Sequence, residues 1–195
     1  MPTRPPKDAY YLGIAKATAE RSNCMSTSGG AIIVRDDQIV STGYIGAPRK
    51  VTDCMELGYC IRRKKGVPSG TGYEMCRSVH AEMNAIINAA RAGVSLLGGD
   101  LYLWFGRRDQ DKVTPTEAFP CLLCKKMMIN AGLKRFIGST PNGGFNVYSI
   151  DGWVEDWKDI EDITQDKNRY QVDYSKQMDY HLELAKQKKL NSGSE

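Results

Sequence analysis

From residue 8 to residue 22 the chain reads DAYYLGIAKATAERS, with apolar positions at Tyr11, Ile14, Ala15 and Thr18 with Ala19. That recurrence follows one face of a helical period and predicts an amphipathic helix. The period then changes. AIIV at 31–34 and QIVSTGY at 38–44 flank an Asp36-Asp37 turn, which predicts a β-hairpin. Residues 45–76 hold no sustained period and are rich in Gly, Pro, Cys and charge. So long an irregular segment inside a compact domain is usually functional or tied by a metal. HAEMNAIINAARAG at 80–93 predicts a helix closed by Gly93. DLYLWF at 100–105 predicts a strand, and a polar stretch follows at 106–118. PCLLCKKMMINAG at 120–132 predicts a second helix, with Pro120 near its start and Gly132 at its end. LKRFIG at 133–138 and FNVYSI at 145–150 predict two further strands, and DGWVEDWKDI begins another helix. From about 176 a charged helix is expected, fraying into NSGSE.

Strands that alternate with helices after a hairpin imply an α/β fold, a mixed sheet with helices on its faces. No repeat and no second domain is visible. The expectation is one domain over 1–195, with a core at about 8–150 and a helical extension at about 151–190.

Composition narrows the class. The 195 residues are 41% hydrophobic and 26% charged, ordinary for a globular protein able to bury a core. No apolar run approaches the roughly 20 residues that span a bilayer, and Met1-Pro2-Thr3-Arg4-Pro5-Pro6 does not read as a secretory signal. A cytoplasmic protein with no membrane partner is expected. The net charge of +4 suits phosphate-bearing ligands and is too weak for a long nucleic acid. The runs Arg62-Arg63-Lys64-Lys65 and Arg107-Arg108 read as solvated loops. With no export signal, the six cysteines are expected as thiols or metal ligands rather than disulfides. Only two histidines are present, and His181, in the charged tail, reads as a surface residue.

The strongest chemical signal is His80-Ala81-Glu82 followed by Pro120-Cys121-Leu122-Leu123-Cys124. This H-x-E…P-C-x-x-C pattern is that of zinc nucleobase deaminases. Its logic is physical. Zinc favours thiolate and imidazole, and three protein ligands leave the fourth tetrahedral position open, as in catalytic sites. Cys121 and Cys124 are three apart, so both can face one point at a helix start, where the partial positive charge keeps thiolates ionised. His80 opens the other helix. Glu82 approaches the same centre without ligating it and is placed to carry protons while water attacks the amine-bearing ring carbon. The backbone N–H of Ala81 is a candidate donor to the base. A lone C-x-x-C also suits a redox pair or half of a structural zinc site, and a lone H-x-E carries little information. It is their order, each opening a predicted helix, that specifies the chemistry. Cys24, Cys54, Cys60 and Cys76 remain. They are either small buried apolar residues or a second, closed, structural zinc site.

Around this motif the chain resembles a known family. Arg21-Ser22-Asn23-Cys24 is similar to R-S-T-C, and Gly43-Tyr44-Ile45-Gly46-Ala47-Pro48 to G-Y-N-G-x-P. Cys54 and Cys60-x-Arg62, Pro68-Ser69-Gly70, Cys76-Arg77-x-x-His80-Ala81-Glu82-x-Asn84-Ala85-Ile86 and Ile129-Asn130-Ala131-Gly132 continue the match. These stretches resemble the deoxycytidylate deaminases of the cytidine deaminase-like superfamily. The resemblance implies a three-layer α/β/α sandwich around a five-stranded mixed sheet. It implies hydrolysis of dCMP to dUMP and ammonia, feeding thymidylate synthesis. It also implies a homo-oligomer, often a hexamer, with dCTP and dTTP as effectors and Mg2+ accompanying such a nucleotide.

Two departures stand out. The family's Asn, which contacts the sugar, is Ile45 here, and Ile cannot hydrogen-bond a hydroxyl. The segment 106–119 intervenes between strand and metal motif, where the family often passes almost directly. It is expected at the pocket mouth, with Arg107 and Arg108 as candidates for a phosphate alongside Arg49 and Lys50. The rival readings are a deaminase of another cytosine nucleotide or modified base, a tRNA adenosine deaminase, and a non-enzymatic zinc-binding nucleotide sensor. A nucleic-acid editor calls for a basic, aromatic-lined groove, which the charge does not suggest. A sensor has no need of Glu82.

Overall fold

The computed structural model describes residues 4–68 and 70–166. Helix α1 (Lys7–Ala19) leads into the hairpin of β1 (Thr27–Arg35) and β2 (Gln38–Tyr44). Asp36 and Asp37 both take positive φ, 52° and 62°, as a tight hairpin turn that follows strand twist requires. The irregular segment is punctuated by two single-turn helices, α2 (Cys54–Leu57) and α3 (Ile61–Lys64), and by a 3₁₀ turn at Tyr73–Met75. There follow α4 (Ala81–Ala92), β3 (Asp100–Asp109), β4 (Lys112–Pro115), α5 (Leu122–Asn130), β5 (Arg135–Ser139), β6 (Phe145–Ser149) and α6 (Ile150–Lys158). The charged helix expected from about 176, and His181, lie outside the described residues.

The main sheet has the order β2-β1-β3-β5-β6. Pairing is antiparallel except between β3 and β5, so the sheet is mixed, as expected. Successive residues of β1 face opposite layers. Ile32 and Val34 pack with Tyr11, Leu12 and Ala15 of α1. Ala31 and Ile33 join the core beneath α4, α5 and α6, with Leu101, Phe136 and Met128. Helices thus cover both faces, giving the three layers.

Two glycines set how closely those layers meet. A Cβ at Gly30 would lie 2.2 Å from the Ala15 carbonyl oxygen of α1, and one at Gly43 would lie 2.3 Å from the Ala85 nitrogen of α4. Only glycine permits backbone approach at these points.

The structure corrects two expectations. The stretch 106–118 is not merely a polar loop. Strand β3 continues to Asp109, and Lys112–Pro115 folds back on it as β4, a sixth strand outside the main order. The predicted second helix is also shorter. It starts at Leu122, with Cys121 as its N-cap. No helix among the described residues is long and apolar enough to cross a membrane.

Candidate active site

Both halves of the motif sit at helix starts. His80 is the N-cap of α4, with extended backbone (φ −67°, ψ 153°), and Glu82 lies in the first turn. Cys121 caps α5 in the same extended conformation, and Cys124 lies one turn in. The His80 Nδ1 atom is 3.5 Å from Cys121 Sγ and 3.4 Å from Cys124 Sγ. Among the described residues, this is the trio of metal-binding side chains whose ligand atoms all lie within 4.8 Å of one another. Typical zinc–sulfur and zinc–nitrogen bonds at a tetrahedral angle place N and S about 3.5 Å apart. The donor set and its spacing therefore fit zinc.

The protein groups also polarise one another. A hydrogen bond from Cys124 outweighs burial and, with the His80 imidazole, brings the Cys121 thiol down to about 4. Burial opposes the charge on His80, yet its Cys121 contact and the Glu82 carboxylate push it up to about 9. Burial lifts the Cys124 thiol. It also lifts the Glu82 carboxyl, against the pull of His80. Glu82 is only 5% exposed, so its proton exchange is confined to the cleft. Ala81 is fully buried and opens α4, where first-turn N–H groups have no acceptor within their own helix.

Ile45 is fixed beside this centre by backbone bonds. Its N–H donates to Gly29, its carbonyl accepts from Asn23, and the next residue, Gly46, exchanges two hydrogen bonds with Val79, just before His80. One cavity joins Ile45, His80, Glu82 and Cys121. Leu103, Phe105 and Phe119 add apolar walls, and Arg62, Arg107 and Glu117 add charge.

The candidates for a phosphate separate cleanly. Arg107 lines this cavity. Arg49 and Lys50 line another, on the outer side of α4 with Asn84 and Asn88. Arg108 lines a third with Lys16 and Trp104. The segment 106–119 thus reaches the cleft through Arg107, Glu117 and Phe119, and Arg108 points away.

Two further residues, Arg62 and Tyr73, line the cleft beside His80. Arg62, taken as part of a solvated basic run, is half-buried and its Nε is buried with no hydrogen-bond partner. Its guanidinium lies 5.5 Å from the Tyr73 ring centroid, and Tyr73 meets the His80 ring edge-on at 5.0 Å. The Cys60-x-Arg62 motif marked the arginine, but nothing in the pattern marked Tyr73.

Cys24, Cys54, Cys60 and Cys76 come together on the flank of the cleft. Cys24 Sγ accepts from the Ser26 N–H at 3.4 Å and the Thr27 hydroxyl at 3.6 Å. Burial raises the Cys54 thiol, and the other three thiols act on it in the same direction. Burial raises Cys76 too, with Cys24 and Cys60 as neighbours. Cys60 goes the other way: the Arg63 N–H and the Ser26 hydroxyl lower it against burial. These four are not drawn together as tightly as the His80 trio.

Residues 5–140 match the family described as the cytidine and deoxycytidylate deaminase zinc-binding region. A deoxycytidylate deaminase of Mycobacterium phage D29 is 34% identical over 140 residues, covering 69% of this chain and 95% of the phage protein. The deoxycytidylate deaminase of Schizosaccharomyces pombe is 33% identical over 137 residues, covering 70% of this chain but only 38% of the yeast protein. The crystal structure of dCMP deaminase from cyanophage S-TIM5 in complex with dCMP and dUMP superposes with a TM-score of 0.50 at 27% identity, covering 69% of this chain and 82% of that one.

Proposed function

The chain belongs to the cytidine and deoxycytidylate deaminase zinc-binding family, and from that membership we propose that it hydrolyses dCMP to dUMP and ammonia. The observation that carries the reading is the His80, Cys121 and Cys124 trio at zinc spacing with buried Glu82 in the same cleft. His80, Cys121 and Cys124 would hold a zinc ion, whose chemistry there would be to lower the pKa of water to about 7 and so supply a nucleophile at neutral pH. Glu82 takes a proton from the attacking water and delivers one to the ring nitrogen next to the amine-bearing carbon. It then assists proton transfer to the amine, which leaves as ammonia. Ala81 N–H holds the base, and the apolar walls exclude bulk water. Ammonia release from dCMP, dCTP, CMP, deoxycytidine and 5-substituted dCMP tests the reading, which requires dCMP to be turned over best. A tRNA adenosine deaminase or a nucleotide sensor would instead show no release from this panel.

Selectivity is expected to rest on phosphate and base more than on sugar. Ile45 fills space against the sugar without rewarding a hydroxyl, whereas a phosphate gains charge-assisted bonds from Arg62 and Arg107. Removing the 3′-hydroxyl, as in 2′,3′-dideoxy-CMP, should lower kcat/KM less than about tenfold. Removing the phosphate should cost far more, and Arg107→Ala should narrow that gap by weakening dCMP while sparing deoxycytidine. Equal rates on dCMP and deoxycytidine would refute the nucleotide reading. An inert dideoxy compound would show that another side chain reads the sugar.

The reading extends to a single domain, a cytoplasmic homo-oligomer, and dCTP and dTTP effectors with Mg2+. It also includes a second zinc on Cys24, Cys54, Cys60 and Cys76, supported by their convergence in the fold. Metal analysis should find two zinc ions per chain, falling to one in the Cys54→Ser/Cys76→Ser variant. One zinc in both proteins would remove this second site.

A further inference from the structure

Directly after the metal-facing Cys124, α5 carries a lysine where a surface residue would be ordinary. Lys125 is instead fully buried, and its Nζ lies 2.6 Å from Asp166 Oδ2, itself on a buried side chain. Trp157 Nε1 donates to the same oxygen at 3.0 Å. The lysine Nζ also sits 4.7 Å from the ring centroids of both Phe119 and Trp153. Trp153, Trp157 and Asp166 all belong to the segment that follows the sheet, α6 and the 3₁₀ turn Ile163–Gln165. Phe119 belongs to the cleft. It also meets the Tyr148 ring edge-on at 5.3 Å, and Tyr148 in turn packs against Trp153 at 6.2 Å.

A buried ion pair is a poor way to gain stability, since apolar residues of similar volume commonly do as well. What it offers is a fixed geometry. A desolvated ammonium over an aromatic face holds that ring in place, and the carboxylate holds the ammonium. We propose that Lys125 and Asp166 form a buried latch through which residues 150–166 hold Phe119 in the wall of the substrate cleft. Lys125 is on this account a positioning residue for substrate binding. Glu82 lies in the first turn of α4 and His80 caps it, whereas the latch joins α5 to residues 150–166, so the effect is expected on KM rather than on kcat. The inference takes from the proposed function only its choice of substrate.

The test uses the full, zinc-loaded chain. Single removal of either charge strands the other in the core, so the decisive variant removes both, Lys125→Met with Asp166→Leu. Its zinc content is expected near wild type, and its melting temperature lowered only modestly by the lost acceptor of the half-buried Trp157 Nε1. Its kcat is expected within about threefold, and its KM for dCMP raised about tenfold. Phe119→Leu should raise KM similarly, and adding it to the double variant should raise KM no further, because both act through one ring. Asp166→Asn, the second variant, keeps one carbonyl oxygen able to accept from Lys125 and Trp157 but removes the counter-charge. The latch predicts a lowered melting temperature with KM raised about threefold, and an unchanged KM overturns it. A KM within twofold of wild type in a folded double variant overturns the latch. Additive effects with Phe119→Leu overturn it equally, since a purely structural role predicts them. Wild-type turnover of dCMP, measured alongside, tests the substrate reading separately. The latch is judged by variant-to-wild-type ratios on whichever substrate wild type accepts.

Discussion

Replacing Glu82 with glutamine is expected to leave a folded, zinc-loaded protein with almost no turnover. Glutamine has the shape of glutamate and keeps one carbonyl acceptor. It cannot take up a proton at any useful pH. Glu82 is buried at the first turn of α4, in the cavity that also contains His80 and Cys121. General acid–base catalysis by a positioned side chain is worth roughly a hundred- to ten-thousand-fold. Here one carboxyl serves the water, the ring nitrogen and the leaving amine, so the loss should lie at the upper end or beyond. Ammonia release gives kcat, metal analysis gives zinc, and thermal melting gives stability. Turnover within a few-fold of wild type would take Glu82 out of the mechanism. The same comparison separates an enzyme from a sensor, because a sensor would have no activity to lose.

The elements that a one-dimensional pattern could reveal are those with one dry face and chemically marked ends. Helix α4 has an apolar stripe and Gly93, whose φ of 67° closes it. The hairpin of β1 and β2 has its Asp36-Asp37 turn. The ribbon of β3 and β4 has no such signature. Beyond Gly106 its residues are mostly exposed, so no alternation of apolar and polar residues records the pairing. Helix α2 was legible in principle. Asp53 accepts from the Met55 and Glu56 amides, and Glu56 accepts from the Asp53 amide in return, a capping box written in the sequence as D-x-x-E.

The metal trio was legible because its ligands are rare residue types at fixed spacing. The burial of Arg62, which the Cys60-x-Arg62 motif marked only as a residue, and of Lys125 was hidden for the opposite reason. Both are residue types found mostly at surfaces. Arg62 is drawn in by the Pro68 carbonyl and the Tyr73 ring of the irregular segment, and Lys125 by a partner distant in sequence. Lys125 finds Asp166 forty-one positions away, and no local pattern encodes that.

Cys121→Ala is expected to lose the catalytic zinc, leaving one ion fewer per chain than wild type and no measurable turnover. Three ligands are already the minimum for a catalytic site with an open position. Alanine leaves two, and the nearest other acid, Glu82, is needed for the protons. The contribution of Cys121 is larger than one ligand in three suggests. As the N-cap of α5 it lies where the helix's partial positive charge favours a thiolate, and the Cys124 and His80 contacts bring its thiol down to about 4. A ligand already ionised at neutral pH binds metal without first releasing a proton, so its removal costs both a bond and that advantage. The measurement is metal content after equilibration with a chelator that leaves wild type loaded. Loss of one zinc, with the remaining zinc still dependent on Cys54 and Cys76, would assign the two sites independently. Full retention of zinc by Cys121→Ala would mean that the ion is held elsewhere, and the catalytic assignment of His80, Cys121 and Cys124 would fall with it.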